Sequence, residues 1–301
     1  MNPVRSERDS TGLACRIRRH SLKMVHRAGA SHIGGCLSAA DLLAQLYGGW
    51  LRVDPERPEW LDRDRFILSK GHVAAALYAT LAEIGFFPRH WLDSYCADGA
   101  KLGGHVMHRG VPGVEVSTGS LGHGLPIALG MALGLKRDQR AARVVVLLSD
   151  GECDEGSNWE AALLAPQLRL DNLVVIIDCN RFQGLGRTDE VAALEPLGAK
   201  WSAFRWKVIE LDGHDHNQIA GALAAIPFEM DRPSLILAHT IKGKGVSFME
   251  DELAWHYKSP DDAQLAAALR EIDAQEEKCR SRSSSLSPAE ASSLVINTEV
   301  S

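Results

Sequence analysis

The strongest constraint on the fold is an alternation in the second half of the chain, where short, mainly apolar runs give way to segments with helical periodicity. Apolar runs over 144–148, 173–177, 207–211 and 234–238 are separated by helical segments over 158–168, 194–204 and 218–225. These runs lack regular polar alternation, as expected of strands covered on both faces. Strand and helix in turn predict an α/β fold, a doubly wound, mostly parallel sheet flanked by helices. Parallel neighbours need crossovers, so the carboxyl ends of the strands share one edge, where such sheets bind ligands.

Upstream, Leu13, Ile17, Leu22, Met24 and Val25 recur at helical spacing, predicting an amphipathic helix over 13–27. A loop over 31–35 follows, and Ser38 reads as the cap of a helix over 39–47. Residues 65–69 read as a buried strand delivering Lys70, Gly71 and His72, with a helix over 73–84 behind it. The stretch 97–113 is rich in glycine and histidine and has no period, a length of irregular chain that points to function. It leads into a small-residue turn over 116–124 and a helix over 125–135, where backbone can approach a ligand closely. Residues 1–11 read as an extension, 12–278 as one domain ending in a helix over 262–276, and 279–301 as a serine-rich, disordered tail.

A net charge of −6 and a pI near 6.1 argue against nucleic acid or an anionic membrane as the main partner. No run approaches the roughly 20 apolar residues of a membrane span, and the polar N-terminus has no signal-peptide core, so a cytoplasmic protein is expected. The six cysteines (15, 36, 96, 153, 179 and 279) form no CxxC pair or zinc spacing and read as free thiols. Cys153 and Cys179 are expected to be packing residues.

The chemistry concentrates in Ser149-Asp150-Gly151-Glu152-Cys153-Asp154-Glu155-Gly156 and in Asp178-Cys179-Asn180, each following an apolar strand, with Asn180 30 positions after Asp150. Asp150 and Asn180 are oxygen donors of the type Mg²⁺ or Ca²⁺ prefers, and a backbone carbonyl near Phe182 supplies a third. The plainer alternative is that Asp150 caps the next helix and Asn180 makes a tight turn. His32, His72, His105, His123 and His256 all sit in loops; converging neutral imidazoles can bind phosphate oxygens, hold hydroxyls and move protons. Glu155 and Glu160 either complement a helix dipole or meet an interface. Lys242 and Lys244 either hold phosphate or face solvent.

These residues resemble the thiamine-diphosphate motif, GDG followed after about thirty residues by Asn, and their flanks resemble the N-terminal region of transketolases. The resemblance runs through residues 29–35, 68–72, Gly104-His105, 113–124 and Trp255-His256 in family order, over roughly residues 10 to 260. It implies thiamine diphosphate with Mg²⁺ (or Ca²⁺), held by Asp150, Asn180 and the carbonyl of Phe182. It further implies cofactor contacts from His72, Gly119, Ser120, Leu121, Gly151, Glu152 and His256, and substrate-hydroxyl contacts from His32 and His105. Glu155 and Glu160 would meet their counterparts across a subunit interface, joining His32, His72, His105 and His256 in the catalytic set. A second, pyrimidine-binding domain does not fit within 301 residues, so the resemblance implies one subunit of a split transketolase, a hetero-oligomer with a C-terminal partner acting on phosphorylated sugars.

The chain departs from that pattern at Ser149, in place of the first glycine of GDG, and at His108-Arg109, in place of Pro-Glu, which bears on the donor sugar. It departs again at Tyr257, in place of glycine, which either narrows the acceptor side or displaces His256. Two other readings are a 2-oxo acid dehydrogenase alpha subunit, or another thiamine-dependent synthase, and a catalytically silent regulatory or scaffold homologue.

Overall fold

A computed structural model describes residues 9–285. The elements run α1 (Ser10–Ala28), α2 (Ile33–Gln45), β1 (Arg65–Leu68), α3 (Ala74–Ile84), α4 (Gly124–Arg137), β2 (Val144–Ser149), α5 (Gly156–Gln167) and β3 (Leu173–Cys179). A two-stranded hairpin, β4 (Phe182–Gln183) and β5 (Gly186–Arg187), follows with α6 (Thr188–Val191) and α7 (Leu197–Ala203). The chain continues through β6 (Lys207–Asp212), α8 (His216–Ala224), β7 (Ser234–His239) and α9 (Asp262–Ser285).

The main sheet has the order β1-β2-β3-β7-β6 and is parallel throughout. Its central strands are buried on both faces, as the unbroken apolar runs require. Val145, Leu147, Val174 and Ile176 pack into one core with α1, α2 and α3. Val144, Val146, Leu148, Leu173, Val175 and Ile177 pack into the other with α4, α5 and α7. Each such side chain contributes roughly 2 kcal/mol by leaving water. Only β6, at the sheet edge, is largely uncovered, which explains why its run is broken by Lys207, Glu210 and Asp212.

The register places Ser149 opposite Asp178 and Cys179 opposite His239. Asp150, Asn180 and Thr240 therefore emerge together at the carboxyl edge. No helix among the described residues is long and apolar enough to cross a membrane.

Three expectations are corrected. The 31–35 loop is shorter than expected, because α2 begins at Ile33. Gly34 and Gly35 are there for contact: a Cβ on Gly34 would meet Lys242 Cγ at 3.0 Å, and one on Gly35 would meet Val73 Cγ1 at 2.8 Å. Ser38 consequently lies inside the helix, and its buried hydroxyl donates 2.7 Å to Asp178 Oδ2 instead of capping. The last helix runs nine residues further than expected, to Ser285, so the start of the supposed tail is helical. The remainder of that tail, 286–301, and residues 1–8 of the extension lie outside the described residues.

Candidate functional site

The loops at the carboxyl edge enclose a cavity of about 270 Å³ whose lining includes His32, His72, His105, His256, Lys70 and Lys242. Gly119, Leu121, Ser149, Gly151, Asn180, Phe182, Gln183 and Gly184 complete it. Four imidazoles converge. His32 stands 5.2 Å from His72, 5.8 Å from His105 and 5.0 Å from His256 between ring centroids, and His72 lies 5.9 Å from His256. His32 reaches this position because it precedes α2 in a left-handed conformation (φ 73°), with its amide donating 2.9 Å to the His256 carbonyl. His123 does not join them; it is exposed and its Nδ1 lies 3.1 Å from the Leu121 carbonyl oxygen.

Burial keeps three of these imidazoles, His32, His72 and His256, neutral. It is the first cause of the fall of His32 to about 4, with His105 and Lys242 adding to it, and of His256 to about 3, with Lys242 and His32 adding. His72 is pushed well below its usual range by burial and by the Lys70 ammonium. Neutral rings retain both a donor and an acceptor nitrogen, as hydroxyl binding and proton movement require.

Two lysines give the cavity its positive charge. Lys70 is fully buried and pairs at 2.6 Å with Asp178, which also accepts from Ser38 and Thr240. Lys242 is buried too, its Nζ 3.2 Å from His256 Nδ1, and burial followed by the Lys70 charge lowers it to about 8. The two lysines of the 242–244 stretch thus separate: Lys244 lies on the surface 3.6 Å from Glu250.

Asp150 and Asn180 meet at the ends of β2 and β3, and both plain roles exist alongside the candidate metal role. Asp150 Oδ1 accepts from the Gly151 amide at 2.8 Å and Oδ2 from the Arg181 amide at 2.6 Å. Asn180 Oδ1 accepts from the Phe182 amide at 3.1 Å, closing the tight turn. Burial, then the Asp178 carboxylate, push Asp150 up to about 6. A buried carboxylate driven toward neutrality beside a second one is a place where a divalent cation relieves repulsion, so the donor set fits Mg²⁺ or Ca²⁺. Among the described residues no cluster of three His, Cys, Asp or Glu side chains can hold a metal alone, so any ion here needs ligand oxygens to complete its shell. Gly119 lines the cavity with a φ of 153°, and a Cβ there would come within 2.9 Å of His105 Cδ2, so His105 packs directly on its backbone.

Other expected site residues sit elsewhere. Glu152 is wholly buried outside the cavity lining, joined to Ser69 Oγ at 2.5 Å and to the amides of Gly122 and Ser149. It braces three loops and is not placed to touch a cofactor. Ser120 is exposed and absent from the lining, while its neighbours Gly119 and Leu121 are present. Glu155 and Glu160 lie exposed around α5, outside the histidine cavity, which does not match a catalytic role within this chain. Lys70, Gln183 and Gly184 are cavity residues missing from the expected set, and of the two readings left open for Lys242 the structure places it in the cavity. A lysine ending a buried strand was the available signal for Lys70, since it needs a buried carboxylate. Cys153 and Cys179 are buried and their thiols pushed up, first by burial, as packing residues should be.

Residues 10–278 match the family described as transketolase, thiamine diphosphate binding domain. The chain is 44% identical to one of the subunits of the apulose-4-phosphate transketolase of Phocaeicola vulgatus, over 87% of its own length and 92% of that protein's. It is 42% identical to the 6-deoxy-6-sulfo-D-fructose transketolase subunit of a Clostridium species over 85% of its length and 94% of that protein's. Among solved structures, the transketolase of Leishmania mexicana superposes with a TM-score of 0.79 at 26% identity, covering 96% of this chain and 49% of that one. The transketolase of Campylobacter jejuni gives 0.78 at 27%, covering 96% and 50%, so the chain spans about half the length of these solved relatives. With its parallel sheet, its four imidazoles and its Asp150–Asn180 edge, the chain belongs to the transketolase family, as its N-terminal, thiamine diphosphate-binding part.

Proposed function

We propose that this chain is the N-terminal subunit of a two-component transketolase, transferring a two-carbon ketol unit from a ketose to an aldose, both phosphorylated sugars. The observation that carries the reading is one cavity lined by four imidazoles, two buried lysines and Asn180, at the sheet edge where Asp150 also emerges. Coverage of more than nine-tenths of two relatives named as transketolase subunits, against half of the solved transketolases, supports a partner that supplies the rest.

Thiamine diphosphate, when bound, supplies the electron sink for carbon–carbon cleavage. The chain's own residues hold and surround it. Asp150, Asn180 and the Phe182 carbonyl would ligate Mg²⁺ (or Ca²⁺), which would supply positive charge to a bound diphosphate. Lys242, His72, His256 and the amide of Gly151 would neutralise and orient that diphosphate, and the Gly119–Leu121 backbone would lie against the cofactor. His32 and His105 would bind sugar hydroxyls, and the neutral imidazole of His32 can take a hydroxyl proton on one nitrogen and return it. Glu155 and Glu160 would act at the subunit interface, beside the pyrimidine-binding domain of the partner.

The test is co-expression with the chain encoded by the neighbouring reading frame. The purified complex should transfer a two-carbon unit in the presence of thiamine diphosphate and Mg²⁺, and neither chain alone should. Turnover by this chain alone would refute the two-component reading; activity restricted to 2-oxo acids would refute the sugar reading.

A further inference from the structure

Over the histidine cavity, the segment carrying His256 meets the β4–β5 hairpin. Tyr257 Oη donates 2.8 Å to the Gly184 carbonyl, and the Tyr257 ring lies 4.8 Å from the His256 ring at a tilt of 58°. Gly184 lines the cavity, and a Cβ there would come within 2.8 Å of Tyr257 Oη and 3.5 Å of His256 Nε2, so the hairpin turn closes tightly over both. The main chain beneath is tied down as well: Ser31 Oγ donates to the Tyr257 carbonyl at 3.1 Å, and the His32 amide to that of His256 at 2.9 Å. His256 is therefore held among the other imidazoles and is not displaced by its bulky neighbour.

Tyr257 is nevertheless 59% exposed. Ordering a large side chain costs rotamer entropy, and a ring that stays in water returns little of it by burial. Both residues it touches, Gly184 and His256, line the cavity, so the strapped ring stands at the cavity's edge. Its hydroxyl is committed to Gly184, so it has no donor to offer a sugar chain that pushes past, and displacing it breaks that hydrogen bond.

We infer that Tyr257 is a specificity-determining residue, a bar at the sugar entrance that favours three-carbon over five-carbon aldose acceptors. This rests on the two-carbon transfer proposed above. A short acceptor ends before the ring, whereas a longer one must share its space.

The experiment uses the assembled two-chain complex with thiamine diphosphate and Mg²⁺, as wild type, Tyr257→Phe and Tyr257→Gly. Two quantities are read: the ratio of kcat/KM for a five-carbon to a three-carbon aldose phosphate, and the ratio of calorimetric Kd values for the corresponding unreactive alditol phosphates. Tyr257→Gly should shift both ratios toward the five-carbon ligand by about fivefold or more, the scale on which shape discriminates in a pocket. Tyr257→Phe, which frees the ring but keeps it, should shift them less. Ratios that Tyr257→Gly leaves unchanged, or moves toward the three-carbon ligand, overturn the inference. A wild-type complex that binds the alditol phosphates but transfers nothing overturns the transfer reading, and the Kd ratio still decides the role of Tyr257. A complex that neither turns over nor binds them overturns both.

Discussion

The Arg181 amide donates a 2.6 Å hydrogen bond to Asp150 Oδ2, so the turn after β3 is closed by the carboxylate that ends β2. The same carboxylate is the leading candidate metal ligand, which ties the geometry of Asn180 and Phe182 to it. Asp150→Ala should lose two backbone hydrogen bonds and cost about 1–3 kcal/mol of stability without unfolding the sheet. The thermal stabilisation of the complex by thiamine diphosphate plus Mg²⁺, about 2.7 kcal/mol at a hundredfold excess over Kd, should vanish. Differential scanning calorimetry with and without the pair checks this; a shift of wild-type size in the variant would remove Asp150 from the metal site.

Lys70 and Asp178 form a fully buried pair at 2.6 Å, with Asp178 also bonded to Ser38 and Thr240. Removing one partner leaves a charge stranded in the interior. Lys70→Met should therefore cost about 3–5 kcal/mol, and Lys70→Met with Asp178→Asn should recover part of that loss. Urea unfolding of both variants gives the comparison, and equal losses in the single and double variants would show that the pair is not coupled.

Much of this site is legible before any coordinates, because strand ends are marked by where apolar runs stop, and Asp150, Asn180 and His72 all sit at such stops. What escaped depends on contacts between distant segments. Lys242 and Lys244 share one short stretch, and only packing against Gly34 and His256 sends the first inward. Gly34 and Gly35 look like helix breakers in sequence, yet they open α2 because neighbouring atoms leave no room for side chains. Glu152 stands within the metal motif but is consumed by Ser69, Gly122 and Ser149, loops that meet only in the fold. The β4–β5 hairpin has two residues per strand, too few for any periodicity to show.

Lys242 is the cavity's second buried cation, and a diphosphate beside it would gain a charge-assisted contact. Lys242→Met should weaken thiamine diphosphate binding by about 10- to 100-fold, the worth of one such contact. Burial and Lys70 lower this amine to about 8, so its charge is lost as pH rises through that value. Wild-type affinity should fall above pH 8, while the methionine variant should show no such limb. Calorimetric titration of the complex from pH 7 to 9.5 measures both; a parallel fall in the variant would place the titrating group elsewhere.

Leu163 and Leu164 on α5 are 62% and 45% exposed, and Ile127 on the adjoining α4 is 37% exposed, on helices that also carry or flank Glu155 and Glu160. An association surface is expected where large aliphatic side chains stand exposed on paired helices. Leu163→Glu should disperse the assembly at micromolar concentration while leaving the circular dichroism of the chain unchanged. Sedimentation velocity reports the outcome, and an intact assembly would move the interface off this face.

Glu83 joins three parts of the chain, accepting from Arg16 Nε at 2.7 Å, meeting His20 Nε2 at 3.0 Å and pairing with Arg89 Nε at 2.9 Å. Burial works against its charge, but hydrogen bonds from His20 and Arg16 and the Arg89 charge outweigh it and bring the carboxyl down to about 2. In the unfolded chain the same group titrates near its ordinary value of about 4.3. Its contribution is therefore present in full above about pH 5 and is lost as pH falls toward 2. Solvent around the half-exposed arginines trims that contribution to roughly 2 kcal/mol. Glu83→Gln should be less stable than wild type by that amount at pH 7, with the gap closing steadily between pH 5 and pH 3. Urea unfolding across this range tests it, and a gap independent of pH would mean that Glu83 acts by packing and not by charge.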